Sequence, residues 1–392
     1  MGSQPKAIWS VLLATFTYFF AVTVIAPIIS PYAINLGATP AVLGLLSALT
    51  SATAIIMRPI FGFISDRGHR FEMMMLGCIL SCIASLIYAA SNNLLLFAVA
   101  RIIQGLASAS FLPSSISTAM DLAPLNRIGE ILGWRSTMFG VSQLLGPGLG
   151  GYLSDILDYR ATFISSFALT LVSILILSLA ARWAKGMLKS NDKLFGSKVR
   201  NVKKLLTLNF TGAMIAVALY ATSYSALNTF LPAIYNEIGF GASIYGIYAS
   251  VQGGSSIIAR ATSGKIADRK GPIHIASSGL ALITLAYVLL TSNYLPPTAY
   301  LCATIFGVGL GLTVPAIQLL ALGGLPSEMR GLGSGIYSIA FELGFLIGPI
   351  LFGLLIEYSG GYTSILWLLP IFPAASLITV QLVGLANRFA SR

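Results

Sequence analysis

One charged segment occurs twice in this chain, half a chain apart, and each copy ends a long apolar stretch. The first copy reads Arg58-Pro-Ile-Phe-Gly62-Phe-Ile-Ser-Asp66-Arg67, and the second, 202 residues later, reads Arg260-Ala-Thr-Ser-Gly264-Lys-Ile-Ala-Asp268-Arg269. A charged cluster repeated once at a long separation predicts a protein made of two similar halves.

The separation of 202 residues holds well beyond these two segments. Matching pairs are Gly37 and Gly239, Gly44 and Gly246, Gly77 and Gly279, Gly105 and Gly307, Gly146-Pro147 and Gly348-Pro349, and Asp155 and Glu357. Because no insertion interrupts the match, we predict an N-terminal half over 1–184 and a C-terminal half over 207–392. The segment 185–206 would connect them.

Apolar stretches about 20 residues long, enough to cross a bilayer as a helix, recur along the chain. Hydrophobic residues make up 56% of the sequence and charged residues only 9%, too few to cover a water-facing surface. We therefore predict an all-α, multi-pass membrane protein with twelve transmembrane helices. The predicted spans are roughly 8–30, 40–64, 72–91, 94–120, 129–155, 161–184, 207–236, 243–266, 273–291, 297–322, 330–356 and 363–387.

The positive charges lie mainly in alternate loops. With the N-terminus inside, the outward loops carry one positive residue, Arg160, and the inward loops carry most of the others, including a run from Arg182 to Lys204. This asymmetry predicts that both termini are cytoplasmic. It also explains the net charge of +11 without nucleic acid, and it makes 185–206 a basic cytoplasmic linker.

Signatures of catalysis or metal binding are missing from the sequence. The three cysteines, Cys78, Cys82 and Cys302, all lie in apolar stretches, where cysteine is usually a small buried residue. The sequence contains no His-Glu-x-x-His, Gly-x-Ser-x-Gly or ATP-binding loop pattern. We therefore expect neither an enzyme nor a metal or other cofactor.

Several motifs resemble those of the major facilitator superfamily. Gly62-x3-Asp66-Arg67-x-x-Arg70 is similar to the family's loop motif between spans 2 and 3, and the segment from Gly264 is its second copy. Leu96-x4-Arg101-x-x-Gln104-Gly105 resembles the span-4 motif, and Gly146-Pro147-x-x-Gly150-Gly151 resembles the span-5 motif of antiporters. Pro27-x3-Pro31 is similar to a span-1 motif of twelve-span drug:proton antiporters.

The resemblance implies two pseudo-symmetric six-helix halves that expose a central site to each side of the membrane in turn. It also implies a monomer that carries a small molecule, with protons as coupling ions. In this reading the two Asp/Arg loops form a cytoplasmic gate, and Arg67 meets an acid at the end of span 4, for which Asp121 is the candidate. The alternative is that these are ordinary solvated loop charges.

The repeated Gly-Pro segments are candidates for close helix packing and for a hinge. Glycine lets backbones approach closely, and proline frees a carbonyl and can kink a helix. The antiporter motif usually has a further glycine four residues before the Gly-Pro pair, where this chain has Ser142. The candidate residues are Gly146, Pro147, Gly150, Gly151, Gly348 and Pro349.

Three ionisable residues inside the predicted spans are candidates for proton coupling or for binding a substrate charge. Burying such a residue costs about 2.5–3.5 kcal/mol on insertion scales. Glu342, Arg101 and Arg135 have Gly140, Ala303 and Tyr337 at the repeated positions, so the deep charges are not part of the repeat. The alternative is a permanent ion pair or a packing contact.

Aromatic and amide side chains at helical spacing are candidates for the lining of a cavity. A wide aromatic cavity with few charges suits hydrophobic or weakly cationic compounds, although such stripes also occur as ordinary packing. The candidates are Phe16, Phe19, Tyr220, Tyr224, Asn228, Gln252 and Gln318.

These observations predict a secondary transporter, in which proton uptake drives the efflux of hydrophobic or cationic drug-like molecules. The first alternative is a metabolite carrier for a sugar, amino acid or organic anion, in which Arg101 and Arg135 bind an anionic group. A more distant alternative is a membrane enzyme or a receptor.

Overall fold

The computed structural model describes residues 3–184, 207–325 and 329–390, and within these ranges it contains helices and no strand. The predicted linker 185–206 lies outside the described residues. The α-helices are α1 Ser3–Val24, α2 Ile29–Asn35, α3 Pro40–Asp66, α4 Arg70–Ala90, α5 Leu94–Leu122, α6 Ile128–Ile156, α7 Tyr159–Ala184, α8 Leu208–Glu237, α9 Ala242–Lys270, α10 Pro272–Ser292, α11 Thr298–Leu322, α12 Arg330–Ser359 and α13 Ile371–Ala390.

These thirteen helices correspond to the twelve predicted spans, because α1 and α2 together form the first. A short 3-10 turn at Ala26–Ile28 separates them. Pro27 lies in this turn and Pro31 in the first turn of α2, and proline cannot donate the backbone hydrogen bond that a continuous helix needs. A second 3-10 segment, Tyr362–Trp367, precedes α13.

Ten helical segments of the described residues are long and apolar enough to cross a membrane. The helices α6 and α9 do not reach the same hydropathy, because glycine, serine and charged residues interrupt their sequences. Large apolar side chains are exposed on the helix surfaces, for example Leu175 at 66% and Ile258 at 75%. In a chain this poor in charge, such surfaces face lipid.

The described residues form two compact units that largely follow the two sequence halves. The first unit contains most of the N-terminal half together with Tyr235–Ser250. The second contains most of the C-terminal half together with Thr39–Ala48. Each unit therefore includes the beginning of one helix, α9 or α3, from the other half.

Glycines at repeated positions make equivalent contacts in the two units. A Cβ atom on Gly77 of α4 would collide with Phe111 of α5, and one on Gly279 of α10 would collide with Thr313 of α11. Phe111 and Thr313 are themselves 202 residues apart. The pairs α4–α5 and α10–α11 are among the most closely packed helices, so the sequence repeat is also a repeat of packing.

Candidate functional site

The interior of the first unit carries polar groups on α5. Gln104 is 5% exposed, and neither atom of its side-chain amide has a hydrogen-bond partner among the described residues. One turn earlier, Arg101 is partly buried and lies near Tyr88. A buried amide without partners is costly, so it marks a position where a polar ligand or water can bind.

Arg135 is buried deeper in the same unit, with 8% of its surface exposed. Its guanidinium donates to the Ser115 hydroxyl through Nη2 at 2.7 Å and through Nε at 3.2 Å. Among the described residues Arg135 has no carboxylate partner, and Glu130 at the start of the same helix pairs with Arg127 at 2.6 Å. The positive charge of Arg135 is therefore held by neutral oxygen atoms.

An aromatic group packs beside these residues on α1, α5 and α6. Phe19 is 8% exposed and lies edge-on to Phe139, with ring centroids 4.7 Å apart. Tyr18 stacks on Phe111 at 3.7 Å, while the predicted residue Phe16 stacks on Phe20 at 5.3 Å. Phe19 thus belongs to the packed core of the unit, whereas Phe16 is partly exposed.

The second unit contains a larger aromatic cluster around Tyr224 of α8. The Tyr224 ring lies 5.6 Å from Phe306 of α11 and 5.7 Å from Phe345 of α12. Phe341 is 4.8 Å from Phe345 and 6.4 Å from Tyr220. Three helices therefore contribute rings to one surface, as the spacing of Tyr220 and Tyr224 on one helix face predicted in part.

Polar side chains accompany this cluster. Tyr224 lies within hydrogen-bonding reach of both Asn228 and Gln252, while Nε2 of Gln252 has no partner among the described residues. Tyr337 is 8% exposed, lies near Tyr220, and also has an unpartnered hydroxyl. Glu342 is partly buried on α12, one residue after Phe341. This cluster therefore combines aromatic rings with hydroxyl and amide groups.

The structure adds three aromatic residues to the predicted cavity lining, and it separates one predicted amide residue, Gln318, from the others. Phe306, Phe341 and Phe345 all contact the cluster, but single phenylalanines in apolar spans give no local signal that distinguishes them from lipid-facing residues. Gln318 is exposed near the C-terminal end of α11, so it does not share the burial of Gln252.

The loop between α3 and α4 forms a different ion pair from the one expected. Asp121 at the end of α5 pairs with Arg70, and the Arg70 guanidinium also donates to the Ser117 carbonyl at 3.2 Å. Arg67, the expected partner, instead lies over the Phe63 ring at 4.1 Å. The pairing of Arg67 with Asp121 is therefore wrong for this structure, because the first turn of α4 brings Arg70 closer to Asp121.

The other predicted gate residues lie around these two loops. Asp66 is exposed, whereas Arg58 and Gly62 are partly buried on the last turns of α3. In the second copy Arg260 is exposed on α9. The surroundings of Gly264 and the side chains of Asp268 and Arg269 lie outside the described part of the chain.

The Gly-Pro segments lie at close helix contacts in both units. A side chain on Gly146 would collide with Thr23, and one on Gly348 would collide with Thr222 and Ser225. A Cβ atom on Gly150 would collide with the Val24 carbonyl, and one on Gly151 would collide with the Ala242 carbonyl. Pro147 and Pro349 both lie inside helices, α6 and α12.

Ser142 replaces the missing motif glycine and takes part in one of these contacts. It is fully buried, and its hydroxyl donates to the Phe16 carbonyl at 3.1 Å. Its own carbonyl accepts a hydrogen bond from Thr23 at 3.0 Å, as the carbonyl of Gly344 accepts one from Ser225 at 3.0 Å. The contact is preserved because serine is small and both of its polar groups are paired.

A family model described as Major Facilitator Superfamily matches residues 11–341. The chain belongs to this superfamily. Its membership confirms the resemblance read from the loop motifs and the twelve-span fold, and it makes the protein a membrane transporter and not an enzyme.

Relatives within the superfamily share about a quarter of the sequence. An uncharacterized MFS-type transporter of Methanocaldococcus jannaschii is 26% identical, with 92% of this chain and 94% of the relative covered. The multidrug resistance protein MdtG of Citrobacter koseri is 25% identical, with 82% of this chain and 80% of MdtG covered.

A solved structure of the superfamily has the same fold. The crystal structure of a bacterial homolog of the human lysosomal transporter Spinster, inward-facing and occupied, matches with a TM-score of 0.78 at 16% identity. The match covers 96% of both chains. At this identity the likeness establishes the fold alone.

Proposed function

We propose that this superfamily member exports hydrophobic or cationic drug-like molecules in exchange for protons. The observation that carries the proposal is the cluster around Tyr224, where rings from three helices lie beside the amide groups of Asn228 and Gln252. Aromatic faces attract organic cations, and apolar cavities with a few polar groups bind drug-sized molecules. The similarity to MdtG, whose name describes multidrug resistance, supports the same cargo class.

Glu342 is the proposed coupling residue in this scheme. It is the acid that the sequence places inside a span of the C-terminal half, and its repeated position in the other half is Gly140. A carboxyl group in a membrane-embedded carrier can hold either a proton or a cationic cargo. Competition between the two at one carboxylate would couple proton entry to cargo release.

The test uses the purified transporter in proteoliposomes with an imposed pH gradient and a pH-sensitive dye inside. Lipophilic aromatic cations are added to the wild type, to Glu342→Gln and to Glu130→Gln. Glu130 is a matched control because its carboxylate is exposed and paired with Arg127 at a helix end. We expect cargo-triggered proton movement to fall about tenfold or more in Glu342→Gln and to remain in Glu130→Gln. Equal proton movement in both variants would remove Glu342 from the mechanism.

The second candidate function is a carrier for organic anions, which Arg135 favours. Its buried guanidinium has only neutral oxygen partners among the described residues, and such a group can bind a carboxylate bidentately. The probe pair is a fluorescent amphipathic carboxylate and its methyl ester. This function requires the acid to be transported, with loss of transport in Arg135→Gln but not in Arg127→Gln. Equal transport of acid and ester would exclude it.

A further inference from the structure

Two carboxylates in this transporter bind the first turns of two other helices. The Asp155 carboxylate at the end of α6 accepts hydrogen bonds from the backbone N–H groups of Ala242 at 2.7 Å and Ser243 at 3.0 Å, at the start of α9. The Glu357 carboxylate near the end of α12 accepts one from Ala41 at 2.8 Å, at the start of α3. The first N–H groups of a helix have no partner within it, and they attract negative charge.

The two contacts are copies of each other. Asp155 and Glu357 are 202 residues apart, and so are Ala41 and Ser243. In each case the carboxylate belongs to one sequence half and the helix start to the other, although both partners lie within the same compact unit. A chance surface contact would not recur at both equivalent positions.

Close packing surrounds both carboxylates. A Cβ atom on Gly241 would collide with the Asp155 carboxylate, so the chain before α9 can approach only because this residue is glycine. Farther along the same helix pairs, Gly246 of α9 packs against the Pro147 carbonyl of α6, and Gly44 of α3 packs against the Pro349 carbonyl of α12. Each acid therefore closes the end of a tightly packed pair of helices, α6 with α9 and α12 with α3.

We propose that Asp155 and Glu357 are two clasps that hold the ends of these helix pairs together on the predicted outer side, and that the transport cycle requires both to open. A carrier that exposes its site to each side in turn must separate one set of helix ends while the other set stays closed. The carboxylate contacts stabilise the state in which α6–α9 and α12–α3 are packed. The proposal depends on alternating access, which is part of the proposed function, but not on cargo or coupling ion.

The acid next to Asp155 along the chain, Asp158, does not contact the start of α9. Asp158 accepts a hydrogen bond from the N–H of Ala161 at 2.5 Å, so it caps α7 within its own half. Tyr159 lies near Asp155 and is within hydrogen-bonding reach of Asn35. Because Asp158 caps a helix without joining the two halves, it provides a matched control for Asp155.

The test measures how often the α6–α9 contact opens. Ser250, whose hydroxyl accepts a hydrogen bond from the Gly148 N–H at 2.9 Å, is replaced by cysteine after Cys78, Cys82 and Cys302 have been changed to serine. The whole transporter is reconstituted in vesicles, and alkylation by a membrane-impermeant maleimide added from outside is followed without cargo or pH gradient. The comparison includes Asp155→Ala, Glu357→Ala, the double variant and Asp158→Ala.

Loss of one helix cap shifts an equilibrium by about fivefold. We expect alkylation to be about fivefold faster in each clasp variant, about 25-fold faster in the double variant, and unchanged in Asp158→Ala. Unchanged rates in both clasp variants, or an equal increase in Asp158→Ala, would overturn the proposal. Amide hydrogen exchange at Ala242 and Ser243 provides a second readout, which must accelerate in Asp155→Ala if the clasp exists.

This experiment is independent of the proposed cargo. If the proteoliposome assay finds no proton movement but alkylation rises in the clasp variants, the export proposal fails and the clasps stand. If proton movement depends on Glu342 but alkylation is unchanged, the clasps fail and the export proposal stands.

Discussion

The two units have the same helix contacts but different interiors. The scaffold contacts match pair by pair: Gly105 packs against Thr50, and Gly307 packs against Gln252. Ser173 donates to the Ala14 carbonyl in the first unit at 2.8 Å, and Ser376 donates to the Ala216 carbonyl in the second at 2.8 Å. Within each half, the helices are therefore held to one another by equivalent interactions.

The side chains at the equivalent interior positions are chemically different. The first unit has Arg101, Gln104, Ser115 and Arg135, where the second has Ala303, Phe306, Ile317 and Tyr337. Conversely, the second unit has Glu342 where the first has Gly140. The first interior is cationic, with two arginines, while the second is aromatic and carries a carboxylate.

This difference separates architecture from chemistry. A glycine at a close helix contact cannot change without moving a backbone, so both halves retain it. A side chain that points into the interior can change without moving the helices, provided that its volume is accommodated. The asymmetric interior positions are therefore where substrate and coupling chemistry are expected, and the symmetric contacts are where stability is expected.

The largest stability effect is expected at a scaffold glycine. Gly150→Ala would place a methyl group on the Val24 carbonyl, and overpacking of this kind should lower the melting temperature by about 8 °C or more. Gly133→Ala in the same helix is the control, because its Cβ would meet no heavy atom within 4 Å. Thermal unfolding of the detergent-purified variants measures both, and an equal effect would mean that close approach is not what Gly150 provides.

A smaller effect is expected at the ion pair between α4 and α5. Asp121→Ala removes the partner of Arg70, and a partly exposed, charge-assisted contact should change the melting temperature by about 4 °C. Arg67→Ala should change it by less than about 1 °C, because the Arg67 guanidinium lies over the exposed Phe63 ring and has no carboxylate partner among the described residues. A larger decrease of the melting temperature in Arg67→Ala than in Asp121→Ala would instead support the pairing of Arg67 that the family resemblance implied.

The smallest effect tests whether the scaffold is energetically symmetric. Thr23→Val removes the hydrogen bond to the Ser142 carbonyl, and Ser225→Ala removes the equivalent bond to Gly344. Each should lower the melting temperature by about 2 °C, because one neutral hydrogen bond contributes about 1 kcal/mol. Thr137→Val, which loses only a bond within its own helix, is the control. Clearly unequal decreases of the melting temperature in Thr23→Val and Ser225→Ala would show that the two halves are not stabilised equally.

Sequence reasoning predicted the helix ends more accurately than the partners of the loop charges. The span 40–64 was observed as Pro40–Asp66, and 297–322 as Thr298–Leu322. Asp121 was a candidate for an ion pair, but two arginines of the loop motif lie three residues apart, Arg67 in the turn after α3 and Arg70 at the start of α4. Their sequence gives no reason to prefer either, because the choice depends on how the turn directs each side chain toward α5.

The sequence by itself determined the class of protein, the two-half organisation and most helix bounds. Bilayer thickness sets the length of an apolar segment, and a repeat is visible in the order of residues. Only the tertiary structure decided that Phe306 and Phe345 join Tyr224, that Ser115 holds Arg135, and that Asp155 and Glu357 cap helices of the opposite half. These are lateral contacts between helices. In a membrane they depend on shape and hydrogen bonding rather than on hydrophobicity, so hydropathy along the chain does not record them.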